Sequence, residues 1–288
     1  MAIAIAGTDV WAARRRRVAE LRARQGFARQ LLDFYGALLK VQEKAFTQAA
    51  ADSPPPDALV AYTAELILPY VIDVSVTAGP DRLRSEVIQR AHSEDAREIL
   101  GRWVEGVEQP VVDRFLGRAS LGPVLEALGP GARAVCAGPR DSRHCPDCGG
   151  PPQLSFFSQA TDDLATGPRV LLCSRCGQTW GYARMTCAGC GESESAKLNV
   201  FSEHGTTSSE RGNVVRGLSP GPSVARSDAV FPHMRIEACD TCRKYLLSVD
   251  LAADAGAVPL VDEMAAIPLD LFARERGYNK IITNLMGF

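Results

Sequence analysis

Apolar positions in the first 130 residues return at steps of three and four. Phe27, Leu31, Phe34, Leu38 and Val41 form one such stripe, the spacing of a helix that buries a single face. The run Ser53-Pro54-Pro55-Pro56 ends that helix, because proline lacks the amide donor and its ring clashes with the preceding turn. A second helix is expected from Asp57, its N-cap, to about Pro69 or just beyond. Gly79-Pro80 interrupts the chain again, and Leu83 and Val87 mark a third helix. Ser93-Glu94-Asp95 opens a fourth, with Ile99, Leu100, Trp103 and Val104 on its buried side. Short helices are expected over 111–115 and 124–128.

The texture then changes. Gly129-Pro130-Gly131 begins a linker with little apolar periodicity, which continues to Ser142. From Cys145 to Leu251 the apolar segments are short and β-prone: Leu154-Ser155-Phe156-Phe157, Arg169-Val170-Leu171-Leu172, Trp180-Gly181-Tyr182-Ala183-Arg184 and Tyr245-Leu246-Leu247-Ser248-Val249. Strands this sparse in apolar residues are expected to need a staple besides burial. The stretch 205–230 is rich in Ser, Gly, Thr and Pro, which predicts a surface insertion. After Gly256 the helical pattern returns through Leu260, Met264, Leu269 and Phe272, with a break at Pro268. The fold class is therefore α+β. The chain divides into a helical domain (1–130), a linker (131–144), two small β modules (145–186 and 187–255) and a C-terminal helix with its tail (256–288).

Composition adds mainly exclusions. The net charge of -2 gives no general attraction to nucleic acid or acidic lipid. Between residues 140 and 250, twelve basic residues are offset by twelve acids, whereas a phosphate-binding module should carry a basic surplus. The apolar run Leu66-Ile67-Leu68-Pro69-Tyr70-Val71-Ile72 falls far short of the roughly 20 residues that span a bilayer, so no membrane span is expected. At the N-terminus the apolar residues precede Arg14-Arg15-Arg16-Arg17, the reverse of a secretory signal. A cytoplasmic location is expected, and the arginine run is expected to be the solvated face of a helix.

The nine cysteines change the picture most. In a reducing compartment they are poor candidates for structural disulfides. Eight form four CxxC pairs: Cys145/Cys148, Cys173/Cys176, Cys187/Cys190 and Cys239/Cys242. This spacing lets two sulfurs face one ion while backbone amides donate to them. Gly149, Gly177 and Gly191 follow three of the pairs and suit the left-handed backbone of a tight knuckle. Arg243 follows the fourth, a looser match. Two knuckles complete a tetrahedron around zinc, or around a single iron. The expected ligands are all eight residues, holding two metal ions, iron or zinc. Pairing in sequence order is simplest, because the gap from Cys148 to Cys173 suits a two- or three-stranded ribbon; an interleaved pairing remains open.

Cys136 stands apart as a bystander thiol. His144, His204 and His233 read as surface groups or as supports around the sites, and His92 as unrelated to them. Sites filled by four sulfurs leave no position for water or substrate, and no phosphate loop, HExxH motif or nucleophile elbow is present. No catalytic residue is expected, and the protein is read as not an enzyme.

Several segments resemble the formate dehydrogenase accessory protein family, FdhE. They are Cys145-Pro146-Asp147-Cys148-Gly149, Cys173-Ser174-Arg175-Cys176-Gly177-Gln178-Thr179-Trp180, Arg184-Met185-Thr186-Cys187-Ala188-Gly189-Cys190 and Glu237-Ala238-Cys239-Asp240-Thr241-Cys242-Arg243-Lys244-Tyr245-Leu246. The resemblance covers about 145–250 well and the helical part diffusely. The 205–230 insertion looks longer than the family's loop, and Leu285 follows Asn284 where the family has an Asn-Pro step. The resemblance implies a helical domain joined to two rubredoxin-like, zinc-ribbon modules. It implies an accessory role in the cytoplasm through contact with the formate dehydrogenase catalytic subunit. A rubredoxin-like electron-transfer protein is the alternative.

Overall fold

The computed structural model describes residues 7–93, 95–158, 167–203, 205–206 and 229–288. Most of the expected insertion at 205–230, with His204, Glu94, the first six residues and the side chain of His92, lies outside the described residues.

The first half is a helical bundle. It comprises α1 (Gly7–Arg24), α2 (Arg29–Asp52), α3 (Leu59–Leu66), α4 (Leu68–Ala78), α5 (Asp81–Ser93), α6 (Ala96–Glu105) and α7 (Val111–Leu128). The stripe expected on α2 is only part of its buried surface. Phe34 and Leu38 are inside, Leu31 and Val41 are half-buried and Phe27 is exposed, while Leu32, Tyr35, Leu39, Gln42, Ala45 and Ala49 widen the face. The face is wide because α2 packs against α1, α4 and α7 at once.

Two short helices were expected where α7 runs unbroken through Pro123. A proline inside a helix costs about 3 kcal/mol. Burial of Phe115, Leu116, Leu121, Val124 and Leu125 on several sides of α7 outweighs that cost. On α6 the expected four, Ile99, Leu100, Trp103 and Val104, are all buried, and the Asp95 carboxylate caps the helix by accepting from the Arg97 amide at 2.9 Å.

Pro69 does not end the second helix but sits in the first turn of α4, after a break at Ile67. The helical run Pro56–Ala78 is thus long and apolar enough to cross a membrane by length and composition, unlike the seven-residue stretch noted above. Its inner face, including Leu59, Thr63, Ile67, Val71 and Ser75, is buried within the bundle.

The second half is one sheet. Its strands are β1 (Pro152–Phe157), β2 (Arg169–Cys173), β3 (Thr179–Gly181), β4 (Leu198–Ser202), β5 (Gly205–Thr206), β6 (Met234–Cys239), β7 (Lys244–Asp250) and β8 (Asn279–Lys280). They lie in the order β3-β2-β1-β7-β6-β4-β5, with β8 also beside β7. Neighbours are antiparallel except at two places, β1 with β7 and β7 with β8. The β1–β7 junction, Ser155 opposite Ser248 through Phe157 opposite Asp250, joins the ribbon carrying the first two CxxC pairs to the ribbon carrying the last two.

Helices α8 (Pro259–Ala265) and α9 (Ile267–Glu275) complete the fold. Val261, Met264, Leu269 and Ala273 from these helices share a core with Met234, Ile236, Tyr245, Leu247 and Val249 of the sheet, and that core is continuous with the helical bundle. The back half therefore buries far more than its short strands suggested. The expectation of a thin core failed because α8 packs on β1 and also on α1 and α2, while α9 packs on β6, so the sheet joins the core of the bundle.

Buried charges stitch the halves together. The arginine run is a solvated face only in part: Arg15 and Arg16 are exposed, but Arg14 and Arg17 are buried. Arg14 forks onto Glu126 of α7 at 2.8 and 3.0 Å. Arg17 binds Asp262 of α8 at 2.6 Å and Asp254 at 2.7 Å. Burial alone would lower the Arg17 pKa, but its carboxylate partners, Asp262 foremost, raise it well above the usual value. A second network runs from Arg118 of α7, which donates to Gln153 of β1 at 2.7 Å, through Gln153 to Glu263 of α8. Lys280 of β8 then bridges Glu263 at 2.6 Å and Asp270 of α9 at 3.0 Å. Two cations and two carboxylates cancel, the condition for burying ions without large loss.

Candidate metal centre

Each CxxC pair sits on a reversal of the chain. In the first knuckle the Cys145 amide donates to Gly150 O at 2.9 Å, and the Gly149 amide donates back to Cys145 O at 3.0 Å. In the third, Cys187 donates to Glu192 O at 2.7 Å and Gly191 to Cys187 O at 2.9 Å. The residue after each pair has a left-handed backbone: Gly149 (φ 69°), Gly177 (69°), Gly191 (83°) and Arg243 (54°). The fourth knuckle thus adopts the same turn without glycine. Arg243 is held there by Asp240 at 2.8 Å, by the Arg276 carbonyl at 2.7 Å and by stacking 4.1 Å above the Tyr278 ring.

The knuckles meet in sequence order. Cys145, Cys148, Cys173 and Cys176 form centre one, and Cys187, Cys190, Cys239 and Cys242 form centre two; within each, all four sulfurs lie within 4.8 Å of one another. Sulfur pairs stand 3.6 Å (Cys145–Cys176) and 3.3 Å (Cys148–Cys173) apart in centre one. In centre two they stand 3.7 Å (Cys187–Cys242) and 3.8 Å (Cys190–Cys239) apart. A disulfide needs about 2.05 Å. A tetrahedron with sulfur about 2.3 Å from its metal has edges of about 3.8 Å, close to these separations. Backbone amides of Gly150, Arg175 and Gly189 point at Cys148, Cys173 and Cys187 sulfurs at 3.4, 3.3 and 3.3 Å.

The electrostatics call for a cation. Hydrogen bonds from Cys148, Cys173 and Cys176 drive Cys145 far below the usual thiol range. The same crowding, led by Cys145, drives Cys176 far above it. In centre two, burial raises Cys187 and Cys242. Four thiolates this close cannot all ionise unless positive charge sits among them. The two tetrads can hold two metal ions, and their all-sulfur donor sets suit iron or zinc alike.

Other candidate groups stand outside the tetrads. His144 gives its Nδ1 to Asp141 at 2.7 Å, and hydrogen bonds from His144 and from the Arg143 amide hold the Asp141 carboxyl down at about 2. Cys136 is buried, and burial pushes its thiol up to about 12. Of the two roles expected for His233, a surface group or a support around the sites, the first fails: it is buried with its Nε2 2.8 Å from Asp262. His233, Asp254 and Asp262 also cluster as a metal site would, but the Arg17 guanidinium already binds both carboxylates.

Sequence reasoning missed Arg175, which lies between the cysteines of the second knuckle. It donates to Ala137 O at 2.8 Å and stacks 5.7 Å from the Trp103 ring, fastening centre one to α6. Its position at an unconstrained place in CxxC carried no signal. Arg243 was read as a weaker match because glycine is the usual signal for positive φ.

Comparison with known proteins agrees with this architecture. Residues 223–286 match the family model described as FdhE, C-terminal domain. A stretch of 145 residues, 50% of the chain, is 32% identical to "Protein FdhE homolog" of Aquifex aeolicus (strain VF5), covering 42% of that protein. The Pseudomonas aeruginosa PAO1 homologue is 33% identical over 143 residues, 49% of the chain and 38% of that protein. The matched stretch thus spans about two fifths of these relatives' own length. The crystal structure of the FdhE protein from Pseudomonas aeruginosa superposes with a TM-score of 0.60 at 21% identity, covering 96% of this chain and 95% of that one. In fold over nearly its whole length, and in sequence over about half of it, this chain resembles the FdhE proteins.

Proposed function

We propose that Cys145, Cys148, Cys173, Cys176, Cys187, Cys190, Cys239 and Cys242 ligate two metal ions, iron or zinc, that serve structure and not catalysis. On this reading the protein is a non-catalytic accessory factor in the maturation of formate dehydrogenase and binds its catalytic subunit in the cytoplasm. One observation carries the reading: each tetrad offers four sulfurs at tetrahedral spacing, which fills a zinc or iron shell and leaves no open position for water or substrate. The likeness to FdhE proteins supports the choice of partner. Deletion of the gene in its host should abolish formate dehydrogenase activity without removing the catalytic subunit, and the purified chain should retain that subunit in a pull-down. Normal activity in the deletion strain would refute the reading.

Electron transfer is the second reading, favoured by the exposed Cys190 and the half-buried Cys242. It requires iron. Native protein that is colourless and loaded with zinc would exclude it.

A further inference from the structure

A groove of about 310 Å³ opens on the sheet between the two ribbons. It lies on the face opposite α8 and α9: Arg235 and Glu237 of β6 point into it, while the alternating Met234 and Ile236 join the helix-covered core. Phe157, Ala188, Leu246 and Ile281 make its apolar lining. Met185, half exposed, stands at its edge, a flexible thioether that adapts to varied surfaces.

The charge in the groove is one-sided. Glu237 is paired with Arg169 at 2.5 Å and approached by Arg235 at 3.4 Å. Arg235 stacks 4.2 Å from the Phe157 ring, and the exposed Lys244 adds a further cation. With Arg184, also in the lining, four cations thus face one carboxylate. The Nε atoms of Arg169 and Arg235 are buried with no hydrogen-bond partner among the described residues. Unsatisfied donors of this kind cost stability until an acceptor reaches them. Cys187 and Cys239 of centre two form part of the wall.

A volume near 310 Å³ is at the lower limit for small-molecule sites and suits one or two side chains of an extended peptide. Resting on the accessory reading above, we propose that this groove is the docking site of the catalytic subunit. It receives a short extended segment bearing an apolar side chain with a carboxylate close beside it. The apolar group lies over Phe157 and Leu246, the carboxylate meets Arg235 and Lys244, and the bound segment covers the Cys187–Cys239 side of centre two.

The test uses the full chain and the formate dehydrogenase catalytic subunit of the same organism. Lys244→Glu and Met185→Glu change exposed positions, so the fold and both metals should survive; metal content and circular dichroism check this. Combined, the two changes should weaken the complex at least tenfold. A photocrosslinker at position 185 should capture a segment of the subunit containing Asp or Glu, while one at Tyr70 on α4, also exposed, should capture none. Wild-type affinity in the double variant, or crosslinks from position 70 alone, would overturn the groove assignment while leaving the accessory role intact. Failure of the unaltered chain to bind the subunit would instead overturn the accessory reading, and the groove assignment with it.

Discussion

Centre one and centre two use the same parts, four sulfurs on two knuckles, in opposite surroundings. All four centre-one cysteines are buried and belong to the core that runs through the helical bundle, and none of the centre-two cysteines does. Arg175 ties centre one to Ala137 and Trp103. Centre two sits at the far end of β6 and β7, with Cys190 exposed and Cys242 half-buried. The lesson is that a ligand motif specifies how a metal is held, while its setting decides what depends on the metal. Centre one is part of the joint between helices and sheet. Centre two stabilises a ribbon whose other side is open.

The largest effect should come from removing a ligand. Cys148→Ser should lose the centre-one metal and destabilise the whole chain by more than about 5 kcal/mol, since structural metal binding contributes on the order of 10 kcal/mol to folding. Cys190→Ser should lose one metal as well, with unfolding confined to the second ribbon. Metal stoichiometry with calorimetry and hydrogen exchange separates the two, and equal loss of global stability would break the comparison.

The seam around centre one can be tested without touching a sulfur. Glu263→Ala leaves Lys280 and Arg118 with too little negative charge in the interior. It should cost about 3–5 kcal/mol, the usual result of removing one partner of a buried pair. Burial pushes the Glu263 carboxyl up while Lys280 pulls it down, so Glu263→Gln should cost less than alanine. Near centre two, Glu192→Ala removes contacts to Thr241, to the Ser193 and Glu194 amides and to Lys197 and should cost less than Glu263→Ala; denaturant unfolding of the variants measures both.

Backbone approach gives a smaller contrast. A Cβ on Gly150 would lie 2.9 Å from the Cys173 sulfur, whereas on Gly189 the nearest atoms are at 3.5 Å. Gly150→Ala should therefore cost about 1–3 kcal/mol by overpacking, and Gly189→Ala should be tolerated; denaturant midpoints of the two variants decide. The smallest difference is kinetic. With a chelator in excess, metal should leave centre two about tenfold faster than centre one, because local opening exposes the peripheral site first. Release in a single phase would argue that the two open together.

Much of the candidate site was legible in the chain. CxxC spacing is local, so the eight candidate ligands could be read from four short segments, while the choice between sequential and interleaved grouping came from the structure. Helix α6 was legible because Ile99, Leu100, Trp103 and Val104 carry the period of one buried face. Strands β4 and β6 were not, since Leu198–Ser202 and Met234–Cys239 alternate too few apolar residues to stand out. Their pairing across the long 203–233 connection supplies what the local pattern lacks. The arginine run misled for a related reason: Arg17 looks solvated until Asp254 and Asp262, more than 230 positions away, are brought beside it.

By itself the sequence determined the helical first half, the four knuckles and their all-sulfur donor sets, because helix periodicity and CxxC geometry act over a few residues. Only the tertiary structure decided that two ribbons share one sheet, that one centre is buried and the other peripheral, and that a basic, apolar groove lies between them. Those features depend on contacts between segments far apart in the chain. Such contacts form only when burial of the combined apolar surface exceeds the cost of closing the loops between them.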